Sequence, residues 1–465
     1  MKKKILLTVP PWRQKTYEHA KVRVAAPNHP MMALATVAAP LVNKGCDVRI
    51  LDLDLHDDME KALREMLQEF NPDYVGITGT TPYYNLIVKV ADIAKDVDKN
   101  IVTVVGGVHA SIFPEEMARQ ESVDISVYGE GDFTIPEIID SKDLSEVKGI
   151  CYKENGKIVK NLPRPLLQNL DELPFPAWNL FDISRYNVSH LVAKKSPVGA
   201  IETSRGCVYG CTYCNKLIQG RTFRVKSAKR TVDEMEYMVK CGFKEIHVID
   251  DGFSTDLQRA KDICSEIIGR GLKVPWNLFN GIRVDRVDLE LLEKLKNAGC
   301  YQISIGVESG NQNVLDTVNK GIKLEDIRRA VKLAKKAGID IQGYFMLGLP
   351  ADTRESMQDT INFAKELNLD KVKFAITTPF PGTMLYYEYE KKGLIKLRDW
   401  SYYLLHEQEK IYQHPNLNVD EIKKFYEKAY REYYLRWGFV KTRFIKSMAN
   451  GTLLKDAKAF LQTKW

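Results

Sequence analysis

Three cysteines stand close together in this chain, Cys207, Cys211 and Cys214, within the run Cys-Val-Tyr-Gly-Cys-Thr-Tyr-Cys. Thiolates are soft ligands that suit zinc or iron–sulfur centres. A structural zinc site wants four ligands, commonly two CxxC-like pairs. No fourth Cys or His lies in this loop, and His247 is distant in sequence. Three thiolates on a four-iron cluster leave one iron open to a further ligand. The pattern therefore favours an open [4Fe-4S] site over zinc or chance clustering. The other cysteines (Cys46, Cys151, Cys241, Cys264, Cys300) are scattered singly, so the eight together fit a reducing compartment rather than a disulfide scaffold.

The cysteines follow Ala-Ile-Glu-Thr-Ser (200–204), a candidate strand. Five more follow at helix-length intervals: EIHVIDD, PWNLFNG, QISIGVES, DIQGYFMLG and VKFAITT. Six βα units are too few for an eightfold barrel and predict a partial, open (β/α)6 barrel over 196–385. A loop after its first strand lies at the carboxyl end, where barrel active sites form. Thr378 to Thr383 (TPFPGT), after the sixth strand, are placed to face a substrate. Residues 386–465 read as a helical cap. Its aromatics (Trp400, Tyr402, Tyr403, Tyr426, Tyr430, Tyr433, Tyr434, Trp437) fall at helical spacing and read more readily as core than as pocket.

Upstream, residues 1–145 alternate short β-branched runs (KILLTV, VRILDLD, YVGITGT, IVTVVGG) with helical stretches. That is a doubly wound, Rossmann-like α/β domain with a parallel sheet covered on both faces, whose ligands sit beyond the carboxyl ends of its strands. Between them, 146–195 reads as a hairpin turning at Asn155-Gly156, followed by a proline-rich extended linker.

Composition is that of an ordinary globular protein, 44% hydrophobic and 28% charged. No apolar run approaches the ~20 residues of a membrane helix. The opening MKKKILLTVPP has too short an apolar run for a signal peptide and reads as a first strand, so a cytoplasmic protein is expected. A net charge of +7 arises from 68 basic and 61 acidic residues, a mixed surface on which no nucleic acid is expected. Lys226, Lys229, Arg230 and the C-terminal lysines read as solvated faces, with phosphate or peripheral membrane contact left open.

With these elements in place, the chain resembles the radical S-adenosylmethionine superfamily. The resemblance implies that S-adenosylmethionine chelates the open iron and is reductively cleaved to a 5′-deoxyadenosyl radical, with an external donor such as ferredoxin or flavodoxin. It implies cofactor contacts from Tyr213, beside the third cysteine, and from successive strand ends: Asp250 and Asp251, Asn280 and Arg283, Glu308 and Ser309, and Met346 within FMLGLP. Taken singly, Asp250 and Asp251 could cap a helix and Glu308 could sit in a buried ion pair. Asp352 stands where relatives often carry Glu and is left unassigned.

Over nearly all of residues 1–450 the chain further resembles the group of anaerobic magnesium-protoporphyrin ester cyclases and class B radical methylases. This rests on Pro30-Met31, VGITGT, Gly106-Gly107-Val108-His109 and Gly129-Glu130-Gly131-Asp132. It implies a bound cobalamin contacted by Thr78, Thr80, Gly106, Gly107, His109, Gly129 and Glu130. The glycine pair is expected to let backbone approach a bulky ligand, and His109 to lie on a cofactor-facing loop. The Asp-x-His-x-x-Gly motif of better-known cobalamin domains is missing from the loop Val9 to Val22, and His56 reads as an exposed loop residue. Cobalamin would then be base-off with no histidine beneath it. The resemblance implies methylation of an unactivated carbon in a small-molecule or lipid substrate. The same architecture also serves cyclisation or oxidation. A methylthiotransferase would add three N-terminal cysteines, whereas only Cys46 and Cys151 precede the cluster.

Overall fold

The computed structural model describes residues 2–17, 28–404 and 408–462. The first sheet is organised by β1 (Lys4–Val9), which pairs in parallel with β2 (Asp47–Asp52) and β3 (Tyr74–Thr78) on either side. The parallel run continues through β4 (Val102–Gly106) and β5 (Ile125–Val127). Alternate side chains of β1 enter two different cores. Leu6 packs with Leu63, Leu67, Phe70, Ile87 and Val90 from helices Met59–Phe70 and Tyr84–Val97. Ile5, Leu7 and Val9 pack with Leu34, Ala38 and Leu41 from helix Met32–Asn43. Both faces are covered, as the apolar runs require.

The expected hairpin forms, β6 (Ile150–Glu154) and β7 (Lys157–Lys160), turning through Asn155 at φ 51° and Gly156 at φ 75°. It is not part of the linker. β6 pairs antiparallel with the edge of β5, so the first sheet has seven strands in the order β2-β1-β3-β4-β5-β6-β7 and runs to Lys160 rather than ending near 145. The reason is that β5 has three residues and would otherwise leave a short, unpaired edge. The linker beyond is extended and packed: Trp178 is buried edge-to-face on Phe243 of the barrel, while Ala177 joins the first domain's core.

The second sheet holds β8 (Val198–Ile201), β11 (Glu245–Val248), β12 (Trp276–Ile282), β13 (Cys300–Glu308), β14 (Asp340–Leu347) and β15 (Lys371–Ile376), parallel and in chain order. A two-stranded ladder of β9 (Ser204–Arg205) with β10 (Arg224–Val225) closes the loop after β8. The sheet is a six-stranded open barrel, and β15 is an edge. Helix Val419–Tyr434 seals it with tyrosine hydroxyls one turn apart. Tyr434 accepts from Val372 N and donates to Val372 O, at 3.0 and 2.7 Å. Tyr430 does the same for Phe374, at 3.1 and 3.2 Å. The C-terminal aromatics on this helix are therefore structural, and the helical region closes the barrel's side more than it caps the mouth. No helix of the described residues is long and apolar enough to cross a membrane.

Candidate active site

The cysteine loop is anchored before it begins. Asp250, at the end of β11, accepts from Thr203 N and Oγ1 at 2.5 Å each and from Ser204 Oγ at 2.7 Å. Arg259 donates to Thr203 O and Lys226 O. Gly206 sits at φ +84°, where an added Cβ would lie 2.2 Å from Thr222 O, so only glycine lets the chain turn there against its own return. Cys207 is buried; Cys211 and Cys214 are half-buried. Thr212 N donates to Val318 O, and Leu385 N to Thr212 O, tying down the loop's crest. Lys216 lies against Cys207 and Cys214: burial works against its charge, but the two sulfurs outweigh it and raise its pKa. Among the described residues no three His, Cys, Asp or Glu side chains converge as they would around one ion. The fit is therefore judged on the donor set: three soft sulfurs in one loop beside a cation, which suits an iron–sulfur cluster. His247 is committed elsewhere, its Nε2 2.9 Å from Glu245 inside the barrel.

The strand-end residues divide into those that face this loop and those that brace it. Glu308 is buried in the left-handed region at φ 62°, a strained setting of the kind found at functional sites, and accepts from Lys320 Nζ at 2.6 Å. Lys320 also lies 3.5 Å from the Tyr213 hydroxyl, and Tyr213 and Met346 both pack against the cluster of Val314, Val318 and Leu349. Tyr213, Glu308, Lys320 and Met346 thus form one wall beside the third cysteine. Lys320 was not foreseen; it sits in a plain Asn-Lys-Gly turn with no periodic or motif signal. Asn280 is exposed and donates to Ile249 O at 2.6 Å, and Asp251, two residues along the chain from Ile249, is exposed.

Three assignments change. Asp250 has both oxygens bonded to the β8–β9 corner and positions the loop rather than presenting a carboxylate to a ligand. Arg283 stacks 3.5 Å over the Tyr209 ring, pairs with Asp285 and donates to Lys320 O and Gly321 O, which makes it a clamp on the cysteine loop. Ser309 is fully buried against Thr360. Asp352, left open, caps the turn after β14: it accepts from Leu349 N and Ser356 Oγ, and burial pushes its carboxyl up to about 6.

In the first domain, Thr78 (half-buried), exposed Thr80, Gly106 and Gly129 lie at the carboxyl ends of β3, β4 and β5. The close approach at Gly107 (φ +95°) is to protein: a Cβ there would meet Thr78 Oγ1 at 2.7 Å and Gly79 O at 2.8 Å. This tight turn sends helix Val108–Ile112 inward, so His109 is not on a cofactor-facing loop. It is fully buried among Tyr84, Phe113 and Trp400, with both ring nitrogens unpartnered, and burial pulls its pKa down to about 4. Trp400 comes from the C-terminal region, stacks on Phe113 and donates to Glu116.

Glu130 is not available to a cofactor either. It accepts from Arg224 at 2.7 Å, Arg205 at 3.2 Å and Leu167 N at 2.9 Å. Arg205 also binds Asp132 at 2.8 Å and Glu202 at 2.6 Å, all side chains buried. Burial works against the Asp132 carboxylate, but Arg205 outweighs it and holds the carboxyl below its usual range; burial pushes Glu202 up. The Gly-Glu-Gly-Asp run is therefore a latch between domains, closing two residues before Cys207. Across this junction, Gly382 packs on Asn215 and Leu217 of the cysteine loop and on Ile112 of the first domain, so Thr378 to Thr383 lie where the two domains meet.

Residues 201–364 match the Radical SAM superfamily, and residues 19–139 match the B12 binding domain, a stretch of which 19–27 lies outside the described residues. An uncharacterised methyltransferase of Pyrococcus horikoshii is 35% identical over 440 residues, 93% of each chain. The anaerobic magnesium-protoporphyrin IX monomethyl ester cyclase of Rubrivivax gelatinosus is 29% identical over 94% of this chain and 80% of its own. The solved radical S-adenosylmethionine methyltransferase TsrM of Kitasatospora setae, with cobalamin and a [4Fe-4S] cluster bound, superposes with a TM-score of 0.69 at 21% identity, covering 86% of this chain and 76% of its own; that likeness shows the fold.

Proposed function

From a chain that belongs to the radical SAM superfamily and carries its B12-binding domain, we propose a methyltransferase that places a methyl group on an unactivated carbon of a small-molecule or lipid substrate. The observation that carries the reading is the junction at Gly382, where the cysteine loop and the carboxyl-end face of the first domain are brought together over Thr378 to Thr383. Bound there, a [4Fe-4S] cluster and cobalamin supply reductive cleavage of S-adenosylmethionine and a transferable methyl group.

The chain's own residues hold and orient. Cys207, Cys211 and Cys214 bind the cluster, with Lys216 offsetting sulfur charge. Tyr213, Glu308, Lys320 and Met346, with Asn280 and Asp251, line the S-adenosylmethionine side; the Glu308–Lys320 pair suits a zwitterionic amino-acid end. Thr78, Thr80, Gly106 and Gly129 offer hydroxyls and unobstructed backbone on the cobalamin side. His109 acts from behind, setting the helix after β4. The electron donor in this reading is a ferredoxin or flavodoxin.

The test is anaerobic reconstitution with iron, sulfide and hydroxocobalamin, then desalting and absorbance. Near-stoichiometric, base-off cobalamin and label transfer from methyl-labelled S-adenosylmethionine to a substrate are expected. No retained cobalamin, with S-adenosylmethionine still cleaved, sinks the methylase. The Rubrivivax relative favours a second reading, cyclisation or oxidation without methyl transfer. Retained cobalamin with product but no transferred label would select it.

A further inference from the structure

The last two described helices carry most of their large apolar side chains outward. In helix Trp437–Ala449, the positions one and two turns apart along one face are Trp437, Val440, Lys441, Phe444, Ile445 and Met448, and all six are exposed, Trp437 by 78%. The side toward the protein holds one large apolar residue, Phe439, against Tyr433 and Tyr434, and is otherwise polar: Lys446 bonds Asp340 and Asp370, while Arg443 and buried Ser447 bond Asp456. Helix Leu453–Gln462 continues the pattern, with Leu454 86% and Leu461 82% exposed. An apolar stripe aimed at water needs something to cover it.

Charge decides what. Lys441, Lys455 and Lys458 border the stripe, exposed, and no acidic side chain among the described residues pairs with them. The single acid of the two helices, Asp456, is turned inward onto Ser447, Arg443, Thr452 and His190. A second copy seated symmetrically on this face would set lysine against lysine. A partner apolar below and anionic above fits, and a tryptophan at the edge of the stripe suits the headgroup boundary. We propose that helices Trp437–Ala449 and Leu453–Gln462 form an interfacial anchor that lays the protein on an anionic lipid surface. Neither helix is long or apolar enough to cross it.

The anchor's place in the fold separates it from catalysis. Lys446 reaches Asp340, the first residue of β14, and Asp370, just before β15, so the stripe lies at the amino ends of the barrel strands. The cysteines lie beyond the carboxyl ends. Docking leaves the cysteine loop open to an electron donor and to a water-soluble substrate.

The experiment is co-sedimentation of the full-length, cofactor-loaded protein with vesicles of phosphatidylcholine alone or mixed with phosphatidylglycerol, beside sedimentation velocity without vesicles. Binding to the anionic vesicles, weak binding to neutral ones and weakening by salt are expected. F444E/I445E should abolish it, and each of K441Q, K455Q and K458Q should cost roughly fivefold. All five positions are exposed, so thermal transition and cluster and cobalamin content should not change. Equal binding by F444E/I445E, or no binding by the wild type, overturns the proposal. A dimer that F444E/I445E dissociates, without vesicle binding, overturns it in favour of self-association.

Discussion

Replacing Arg205 with methionine keeps most of the side chain's volume and removes the cation at the centre of the latch. The guanidinium has a donor on Glu202, one on Glu130 and two on Asp132, at 2.6 to 3.2 Å. In R205M, Glu130 keeps Arg224 and Leu167 N, and Glu202 keeps Gln219, but Asp132 loses its bonded partner. Breaking a buried pair from one side costs about 3–5 kcal/mol, because the remaining charge is stranded. The cost should shrink as pH falls, since the stranded carboxyl, its folded pKa now raised, takes up a proton the unfolded chain refuses. Adding D132N should restore most of the loss for the same reason. Denaturant unfolding of wild type, R205M, D132N and the double variant supplies the cycle. Because the latch spans the domains, methyl transfer in R205M should fall more than S-adenosylmethionine cleavage without substrate. A loss under about 1 kcal/mol, or a D132N change that deepens it, would refute the reasoning.

Lys320→Met should raise KM for S-adenosylmethionine about tenfold by leaving Glu308 unpaired, with cluster iron content unchanged; lost iron would mean that the pair supports the loop instead. His109→Phe should remove an acid sensitivity. The unfolded imidazole takes up a proton near 6.5 and the folded one only near 4, so wild type loses stability across that window. Relative to the variant, the loss should reach roughly 2–3 kcal/mol by about pH 4.5; parallel pH profiles would sink this, and His29 and Asp352 cancel in the difference. Tyr434→Phe should cost about 1–3 kcal/mol in denaturant unfolding by orphaning Val372 N and O at the barrel edge, and no loss would mean that water replaces the hydroxyl.

The sheets were legible because their signals are local. The apolar runs of KILLTV and of the six barrel strands, and the Asn-Gly turn, each follow from a few consecutive residues. The cysteine loop was legible for the same reason. Glu130, Asp250 and Lys320 were not. An acid between glycines reads as a ligand loop until its partners are known, and Glu130's partners lie 75 and 94 residues away. Asp250 at a strand end looks like a cofactor contact, but its bonds go to Thr203 and Ser204, 47 and 46 residues back. The tyrosines of helix Val419–Tyr434 carry helical spacing, which predicts burial; that their hydroxyls serve a sheet edge depends on the barrel being open on that side.

The latch also says where the molecule can open. Swinging the domains apart at Arg205 would break the buried pairs of Arg205 with Glu130 and Asp132 and of Arg224 with Glu130 together, and would pull Trp178 from the barrel core. The opposite side is held more lightly. Trp400 keeps one hydrogen bond, to Glu116, plus ring contacts with His109, Phe113 and Tyr403. Its neighbours, from Ile395 to Tyr403, form a single 3-10 turn and an isolated bridge rather than a ladder. Substrate should therefore enter beneath this segment while the latch stays shut. Hydrogen exchange of the loaded protein tests it. Amides of 395–403 should exchange much faster than Gly206 and Lys226 beside the latch, and bound substrate should slow the former. Equal protection of both, or faster exchange at the latch, would mean that the domains themselves part to admit substrate.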